Sequence, residues 1–165
     1  MSGLGVAGDS RQLSGDGYGV TGVGILINLR WNCGLTRKPH NQGDPHEKLS
    51  RIESLATSNE LVEMIYRLTQ KFPKHETYGL MSQLQRAIVS VPSNIAEGHT
   101  REHLREYLHH ISIAQASLAE VETQVELATR LEYVQPAELK EILSEINSLG
   151  RQLYALRNSL RTRLN

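Results

Sequence analysis

Residues 82–101, SQLQRAIVSVPSNIAEGHTR, decide the fold of this chain. Apolar residues in and just before this stretch recur every three or four positions and predict one buried helical face: Leu80, Leu84, Ala87, Val91 and Ile95. Pro92 lies inside the pattern and lacks the amide hydrogen of an ordinary helical residue, so we expect a kink or a restart near Ser90. Gly98 is predicted to end the helix as a left-handed C′ residue.

Three polar residues of this stretch have two interpretations. Ser93 and Asn94 have short side chains that can bond backbone groups freed by the proline, and Glu97 follows on the same helix. In the first interpretation these residues only repair the helix around Pro92. In the second they line a site for a partner or a ligand.

Composition excludes several classes of protein. The 165-residue chain has 18 basic and 18 acidic residues, so no global charge attracts it to nucleic acid or to anionic membranes. Its single cysteine, Cys33, allows neither an intrachain disulfide nor a cysteine-based zinc site, and a cytoplasmic setting is expected. No apolar run approaches the ~18–20 residues that span a bilayer, so no membrane association is expected.

The two parts of the chain differ in character. Residues 1–50 hold ten of the thirteen glycines and show no helical period, which predicts a mostly disordered, glycine-rich extension with a short strand at residues 23–29. Gly17, Gly19 and Gly22 match a dinucleotide fingerprint, but a strand-like run follows them where a helix is required, so no nucleotide site is predicted. Residues 51–165 are predicted to form the folded domain.

Four helices are predicted in this second part, at residues 58–72, 78–98, 101–131 and from Pro136 onward. Thr57 or Ser58 is expected to cap the first, and Pro73 to end it. The third and fourth helices carry apolar residues at a period near 3.5, in two parallel sets and one unbroken stripe: Leu104, Ile111, Leu118, Val125; Tyr107, Ala114, Val121, Ala128; Leu139, Ile142, Ile146, Leu149, Leu153, Leu156, Leu160. This period on consecutive helices with short loops predicts an all-α, up-down antiparallel four-helix bundle.

Some apolar residues fall outside these stripes: Val62, Ile88, Ile113, Leu127 and Leu143. Some of them are expected to face outward in a lone bundle, which would favour self-association. Alternatively, they are ordinary scattered surface residues.

Three segments resemble a known family when they are taken in order. These are F-P-x-x-E-x-Y-G-L at residues 72–80, S-x-P-S-N-I-A-E-G at 90–98, and S-L-A-E-x-E-T-Q at 117–124. Together they resemble the four-helix-bundle proteins encoded by reading frames inserted in bacterial 23S rRNA genes, which also carry the label "S23 ribosomal protein". The resemblance covers roughly residues 50–160. The family positions that this chain matches, in the three motifs and at Arg86 between the first two, include Phe72, Pro73, Tyr78, Gly79, Arg86, Pro92, Ser93, Asn94, Glu97, Gly98, Glu120 and Glu122.

The resemblance implies a homopentamer of up-down bundles. It also implies kinship with the accessory protein of diversity-generating retroelements, a basic pentameric barrel that binds nucleic acid and a reverse transcriptase. The present chain departs from that pattern, because it is neutral and has Gln85 in place of the first of two usual basic residues, with Arg86 as the second.

Basic residues collect at one end of the predicted bundle. In an antiparallel arrangement the connection between the second and third helices lies beside the C-terminus, which brings together Arg101, Arg105, Arg157, Arg161 and Arg163. Arginine is suited to bidentate contact with phosphate, so these five residues are the candidate nucleic-acid-binding residues. The alternative is a solvated face, because Glu97, Glu102 and Glu106 lie nearby and basic residues are favoured in the last turn of a helix.

Neither a metal site nor a catalytic site is predicted. Glu106 and His109 form a single E-x-x-H pair, whereas di-iron bundles need such a pair on each of two helices. His99 and His103 are four residues apart but have no further ligands at a readable spacing, and no nucleophile has a paired base. No cofactor is expected.

The sequence therefore predicts a non-enzymatic, self-assembling four-helix bundle that binds RNA or a nucleic-acid-processing protein. The alternative is a structural or protein-interaction module with no role in nucleic-acid binding.

Overall fold

A computed structural model describes residues 45–164, which form four α-helices. α1 spans Pro45–Thr69, α2 spans Leu80–Thr100, α3 spans Leu104–Arg130 and α4 spans Pro136–Thr162, with a 3₁₀ helix at Lys74–Tyr78. α1 and α3 each pack against both α2 and α4, so the helices form a four-membered ring with short connections. The prediction of an all-α, up-down antiparallel bundle is confirmed. The predicted strand, the glycine fingerprint and the disorder of residues 1–44 lie outside the described residues.

The core follows the predicted stripes closely. Both heptad sets of α3 are buried along their whole length, and in α4 every predicted position except the partly buried Leu139 is buried. The predicted core residues of the first helix are buried as well: Leu61, Ile65, Leu68 and Phe72. Because the apolar period was regular, it located these side chains correctly.

The first helix is longer than predicted. It begins at Pro45 and not at Ser58, and it crosses the predicted domain boundary at residue 50. The core-facing positions of its first half hold polar residues, because Glu47, Ser54 and Ser58 are all buried. The two serine hydroxyls find hydrogen-bond acceptors within α1. Ser54 Oγ donates to the Ser50 carbonyl at 2.8 Å, and Ser58 Oγ donates to the Leu55 carbonyl at 2.9 Å. An apolar pattern could not reveal this half of the helix.

We predict a kink or a restart of the second helix near Ser90; the restart is wrong, because α2 continues through Pro92. Two side chains bond carbonyls in the turn before the proline. Ser93 Oγ donates to the Val89 carbonyl at 2.8 Å, and Asn94 Nδ2 donates to the Ser90 carbonyl at 2.8 Å. These bonds agree with the interpretation in which the polar residues support the helix.

Gly98 does not end α2, because the helix continues to Thr100 and no glycine among residues 45–164 has a positive φ. Its role is close packing against α3. A Cβ atom at this position would lie 2.7 Å from Tyr107 Cδ2 and 2.8 Å from His110 Cβ, closer than real Cβ contacts. The prediction of a C′ glycine is therefore wrong, and the physical reason for glycine here is the short distance between α2 and α3.

The apolar residues outside the stripes do not form one class. Ile88 is fully buried in the core, so its prediction as a surface residue is wrong. Val62 and Leu143 are partly buried and pack against the core, whereas Leu127 is exposed. None of the helices between residues 45 and 164 is long and apolar enough to cross a membrane.

Candidate nucleic-acid interface at one end of the bundle

Four helix termini meet at one end of the bundle. The start of α1, the end of α2, the start of α3 and the end of α4 all contribute to a small cavity of about 10 Å³. We call this cavity the end pocket; it is lined by Glu47, His99, Arg101, His103, Leu104, Tyr107 and Arg163. The antiparallel arrangement thus brings Arg101 and Arg163 together, as the sequence predicts.

Three of the five candidate arginines contact neighbouring side chains. Arg101 pairs with Glu97 and donates from Nε to His110 Nε2 at 3.1 Å. Arg163 pairs with Glu47, and Arg157 donates to Gln115 Oε1 at 3.1 Å. These three side chains are therefore partly neutralised or held by the bundle itself.

The other two candidates, Arg105 and Arg161, are exposed. Arg105 lies in the first turn of α3 and Arg161 in the last turn of α4. These two turns lie at the same end of the bundle, as the sequence predicts for both residues. They are the arginines best placed to contact an external phosphate.

Glu47 is the residue of this end that sequence reasoning missed. It is charged, only 2% exposed, and its carboxylate pairs with Arg163 from the opposite terminus of the chain. Burial of a carboxylate is costly unless a partner compensates it, so the pair with Arg163 joins the first turn of α1 to the residue that follows α4. Glu47 lies seven residues before Ser54, a spacing that places both on one face of a helix. Because both residues are polar, a search for apolar side chains does not find this face.

Burial also changes the chemistry of the aromatic groups at the end pocket. Desolvation, with a smaller effect of the Arg51 guanidinium, lowers the pKa of His99 to about 4, so this imidazole is neutral at neutral pH. Desolvation raises the pKa of the Tyr107 hydroxyl well above its ordinary value. The two rings contact edge to face, with centroids 6.1 Å apart.

A polar seam runs between α2 and α3 from this end toward the middle of the bundle. Ser117 Oγ donates to Ser90 Oγ at 3.0 Å, and Asn94 Nδ2 also donates to Ser90 Oγ at 3.0 Å. Asn94 Oδ1 lies 3.1 Å from His110 Nδ1. The seam therefore joins the second and third sequence motifs through the side chains of Ser90, Asn94 and Ser117.

The first motif builds the opposite end of the bundle. Glu76 Oε2 accepts a hydrogen bond from the Leu80 amide at 2.8 Å, which satisfies the start of α2, and Glu76 Oε1 accepts one from the Tyr133 hydroxyl at 3.2 Å. A Cβ atom on Gly79 would lie 2.5 Å from Glu76 Oε2, so glycine leaves room for this carboxylate. Phe72 is buried and its ring lies 5.5 Å from that of Tyr133.

The remaining motif residues lie on the surface or near it. Tyr78 is 96% exposed, and Arg86 and Glu120 are exposed as well. Pro73 is partly buried beside Phe72. Glu122 lies in a groove of about 420 Å³ between α3 and α4, whose lining also includes Leu118, Ala119, Ile146, Gly150, Arg151 and Tyr154.

The histidines between residues 45 and 164 do not converge on a metal position. Among the described residues, no group of three histidine, cysteine, aspartate or glutamate side chains has the geometry to hold a metal ion. His109 is exposed, while His110 belongs to the polar seam. The single E-x-x-H pair of Glu106 and His109 thus has no second pair beside it in the part of the chain that is described.

Residues 51–155 match the family of 23S rRNA-intervening sequence proteins. The chain belongs to this family. No curated protein is significantly similar to this intervening-sequence protein. A crystal structure of a protein of unknown function, from the S23 ribosomal protein family of Bacteroides thetaiotaomicron, has a similar fold, with a TM-score of 0.62 and 19% sequence identity over 66% of this chain and 98% of that one.

The family match confirms the resemblance stated from the three motifs. It covers the four helices except for the first residues of α1 and the last residues of α4. Glu47 and Arg163, which pair across the end pocket, therefore both lie outside the matched segment of this intervening-sequence protein. Kinship with the retroelement accessory protein stays a prediction.

Proposed function

We propose that this intervening-sequence protein is a non-enzymatic, self-assembling bundle that binds RNA at the end carrying its five candidate arginines. The observation that carries the proposal is the exposure of Arg105 and Arg161 on adjacent helix termini. Neither side chain is buried in the bundle, so both are available to phosphate oxygens.

The distribution of charge along α4 supports the same end. After Glu145 the chain contains no acidic residue, while four arginines follow: Arg151, Arg157, Arg161 and Arg163. The chain has no net charge, so binding would depend on this local patch and not on long-range attraction of the whole protein. The nearby carboxylates of Glu102 and Glu106 oppose the patch, which favours modest affinity for a single copy.

Self-assembly would offset that modest affinity. A homopentamer, which the family resemblance implies, would present five copies of Arg105 and Arg161 to one RNA, and linked sites bind more tightly than one site alone. Exposed apolar side chains offer surface for such contacts, including Leu49, Ile52, Val89, Leu127 and Tyr154. Light scattering of the purified chain tests this part directly, and a mass of one chain at micromolar concentration would remove it.

RNA binding is tested by titrating the full chain with a structured RNA at several salt concentrations. The proposal predicts binding that weakens steeply as salt rises, because each phosphate contact releases counterions. Absence of binding at low salt would overturn it. A cytoplasmic setting is part of this proposal, since the RNA would be met there.

A second candidate function is a protein-interaction module without an RNA role. The groove between α3 and α4 favours it, because Leu118, Ile146 and Tyr154 give it apolar walls and Gly150 leaves space between them. Loss of protein capture on changing Ala119 to Arg, with the RNA titration negative, would select this function. Retention of capture by that variant would exclude the groove.

A further inference from the structure

The end pocket combines arginine side chains with a buried hydroxyl that has no hydrogen-bond partner among residues 45–164. The guanidinium groups of Arg51 and Arg163 and the carboxylate of Glu47 all act electrostatically on Tyr107. The lining of the pocket itself includes the guanidinium groups of Arg101 and Arg163 and the carboxylate of Glu47. Guanidinium groups beside a buried hydroxyl are suited to an anionic group.

The Tyr107 hydroxyl is the second observation. Tyr107 is only 5% exposed, it lines the end pocket, and its hydroxyl has no hydrogen-bond partner among the described residues. A buried hydroxyl normally finds a partner, because leaving a buried polar atom unpaired costs on the order of 1–3 kcal/mol. A donor of this kind beside guanidinium groups is suited to an anionic oxygen.

The free space in the end pocket is small, and the buried Glu47 side chain is one of its walls. The remaining cavity of about 10 Å³ holds no more than one water molecule. Glu47 reaches Arg163 from the first turn of α1. Rotation of this one side chain would expose the Arg163 guanidinium and the Tyr107 hydroxyl to the same incoming group.

We propose that the end pocket is a binding site for a phosphate group, and that the carboxylate of Glu47 occupies it in the unliganded chain. Arg163 would hold two oxygens of the phosphate with its planar guanidinium, and the Tyr107 hydroxyl would donate to a third. Arg101 and His103 lie at the same pocket and would face the outer oxygens. This proposal rests on the proposed RNA-binding function in one respect only, namely that an RNA would supply the phosphate group.

The test compares Glu47→Ala with the wild type and with Glu63→Ala in binding of inorganic phosphate, measured by phosphorus NMR and by calorimetry. Glu63 is the matched control, because it also lies on α1 and pairs with an arginine, Arg67, but on the exposed surface. Removal of the competing carboxylate is expected to tighten phosphate binding by about tenfold relative to the wild type, which corresponds to ~1.4 kcal/mol. Glu63→Ala is expected to bind like the wild type.

Two further variants connect the binding to the pocket. Adding Arg163→Gln to Glu47→Ala is expected to abolish phosphate binding, and adding Tyr107→Phe is expected to weaken it by about fivefold, the effect of one lost hydrogen bond. Equal phosphate affinity in Glu47→Ala and Glu63→Ala, or binding that survives Arg163→Gln, would overturn the proposal. Should Glu47→Ala fail to fold, Glu47→Gln keeps the volume, and the absence of any phosphate-dependent rise in its melting temperature over Glu63→Gln would overturn it equally.

The source of the phosphate is resolved with two short RNAs that differ only in a 5′-phosphate or a 5′-hydroxyl. Tighter binding of the phosphorylated RNA by the wild type would assign the pocket to a nucleic-acid end, and equal binding would assign it to free phosphate. The two proposals fail separately. RNA binding without phosphate binding by Glu47→Ala removes the pocket alone, and phosphate binding without RNA binding removes the RNA function alone.

Discussion

Two helical glycines, Gly98 and Gly150, offer a matched test of how closely α2 and α3 pack. Both lie inside helices, so alanine at either position gains helix propensity worth roughly 1 kcal/mol. At Gly98 the new Cβ would lie 2.7 Å from Tyr107 Cδ2 and 2.8 Å from His110 Cβ. At Gly150 the nearest contact of a new Cβ would be an ordinary one, with Leu118 Cδ2 at 3.9 Å.

The expected magnitudes follow from these distances. Gly150→Ala should stabilise the chain by about 1 kcal/mol, because it meets no obstacle. Gly98→Ala should lose about 2 kcal/mol to overpacking and regain about 1 from propensity, for a net destabilisation of about 1 kcal/mol. The two variants should therefore differ by ~2 kcal/mol, and this difference isolates the packing cost because the propensity gain is common to both.

Urea denaturation followed by far-UV circular dichroism measures both variants, with the wild type as reference. A shift of the midpoint without a change in slope would report stability alone. If Gly98→Ala is stabilised as much as Gly150→Ala, the close approach of α2 to Tyr107 and His110 is wrong, and so is the physical reason given for glycine in this motif.

Three further substitutions test the core, the pocket and the first motif. Ile88→Ala should destabilise by roughly 2–5 kcal/mol in urea, because Ile88 is fully buried, whereas a loss no larger than that of exposed Leu127→Ala would contradict its burial. The pKa of His99 lies near 4 in the folded chain and near 6.5 in the unfolded chain, so the free energy of unfolding should fall as pH drops below 6.5. After discounting for the partial exposure of His99, we expect a loss of about 1 kcal/mol between pH 7 and pH 5. This loss should be absent in His99→Gln. A pH profile identical in both proteins would contradict this burial. Glu76→Gln should cost about 1 kcal/mol in urea, because the carboxylate accepts from the Leu80 amide and the Tyr133 hydroxyl, and an unchanged midpoint would count against that role.

Regular apolar spacing explains why most of the bundle could be predicted. Each heptad position of α3, from Leu104 to Ala128, was identified from the sequence because a period near 3.5 has only one helical face to bury. Pro136 fixed the start of α4 for a local reason, since proline fits the first turn of a helix. These features depend on residues close together in the chain.

The errors have a different physical origin. The first half of α1 was missed because Ser54 and Ser58 occupy core positions, where a search for apolar residues does not find them. Gly98 was interpreted from its backbone freedom, but its role depends on Tyr107 and His110 in another helix. Such contacts between helices have no signature in a single sequence.

The candidate site also has one part that the sequence predicts and one part that depends on contacts between distant residues. The sequence predicted which arginines share one end of the bundle, because antiparallel topology alone decides it. It did not predict that Arg163 pairs with the buried carboxylate of Glu47, because 116 residues separate the two. Arg101 and Arg163 are exposed too, but they pair with Glu97 and Glu47, so the proposed function depends most on exposed Arg105 and Arg161.

The most direct test of that function is the salt dependence of RNA binding in two matched double variants. Arg105→Gln with Arg161→Gln removes two exposed charges from the proposed interface, whereas Arg67→Gln with Arg130→Gln removes two exposed charges from the opposite end. Each lost phosphate contact lowers the slope of log affinity against log salt by about 0.7 for single-stranded nucleic acid. We predict a slope reduced by about 1.4 and weaker binding in the first variant, with the second like the wild type. Equal slopes in the two variants would contradict RNA binding at this end of the bundle.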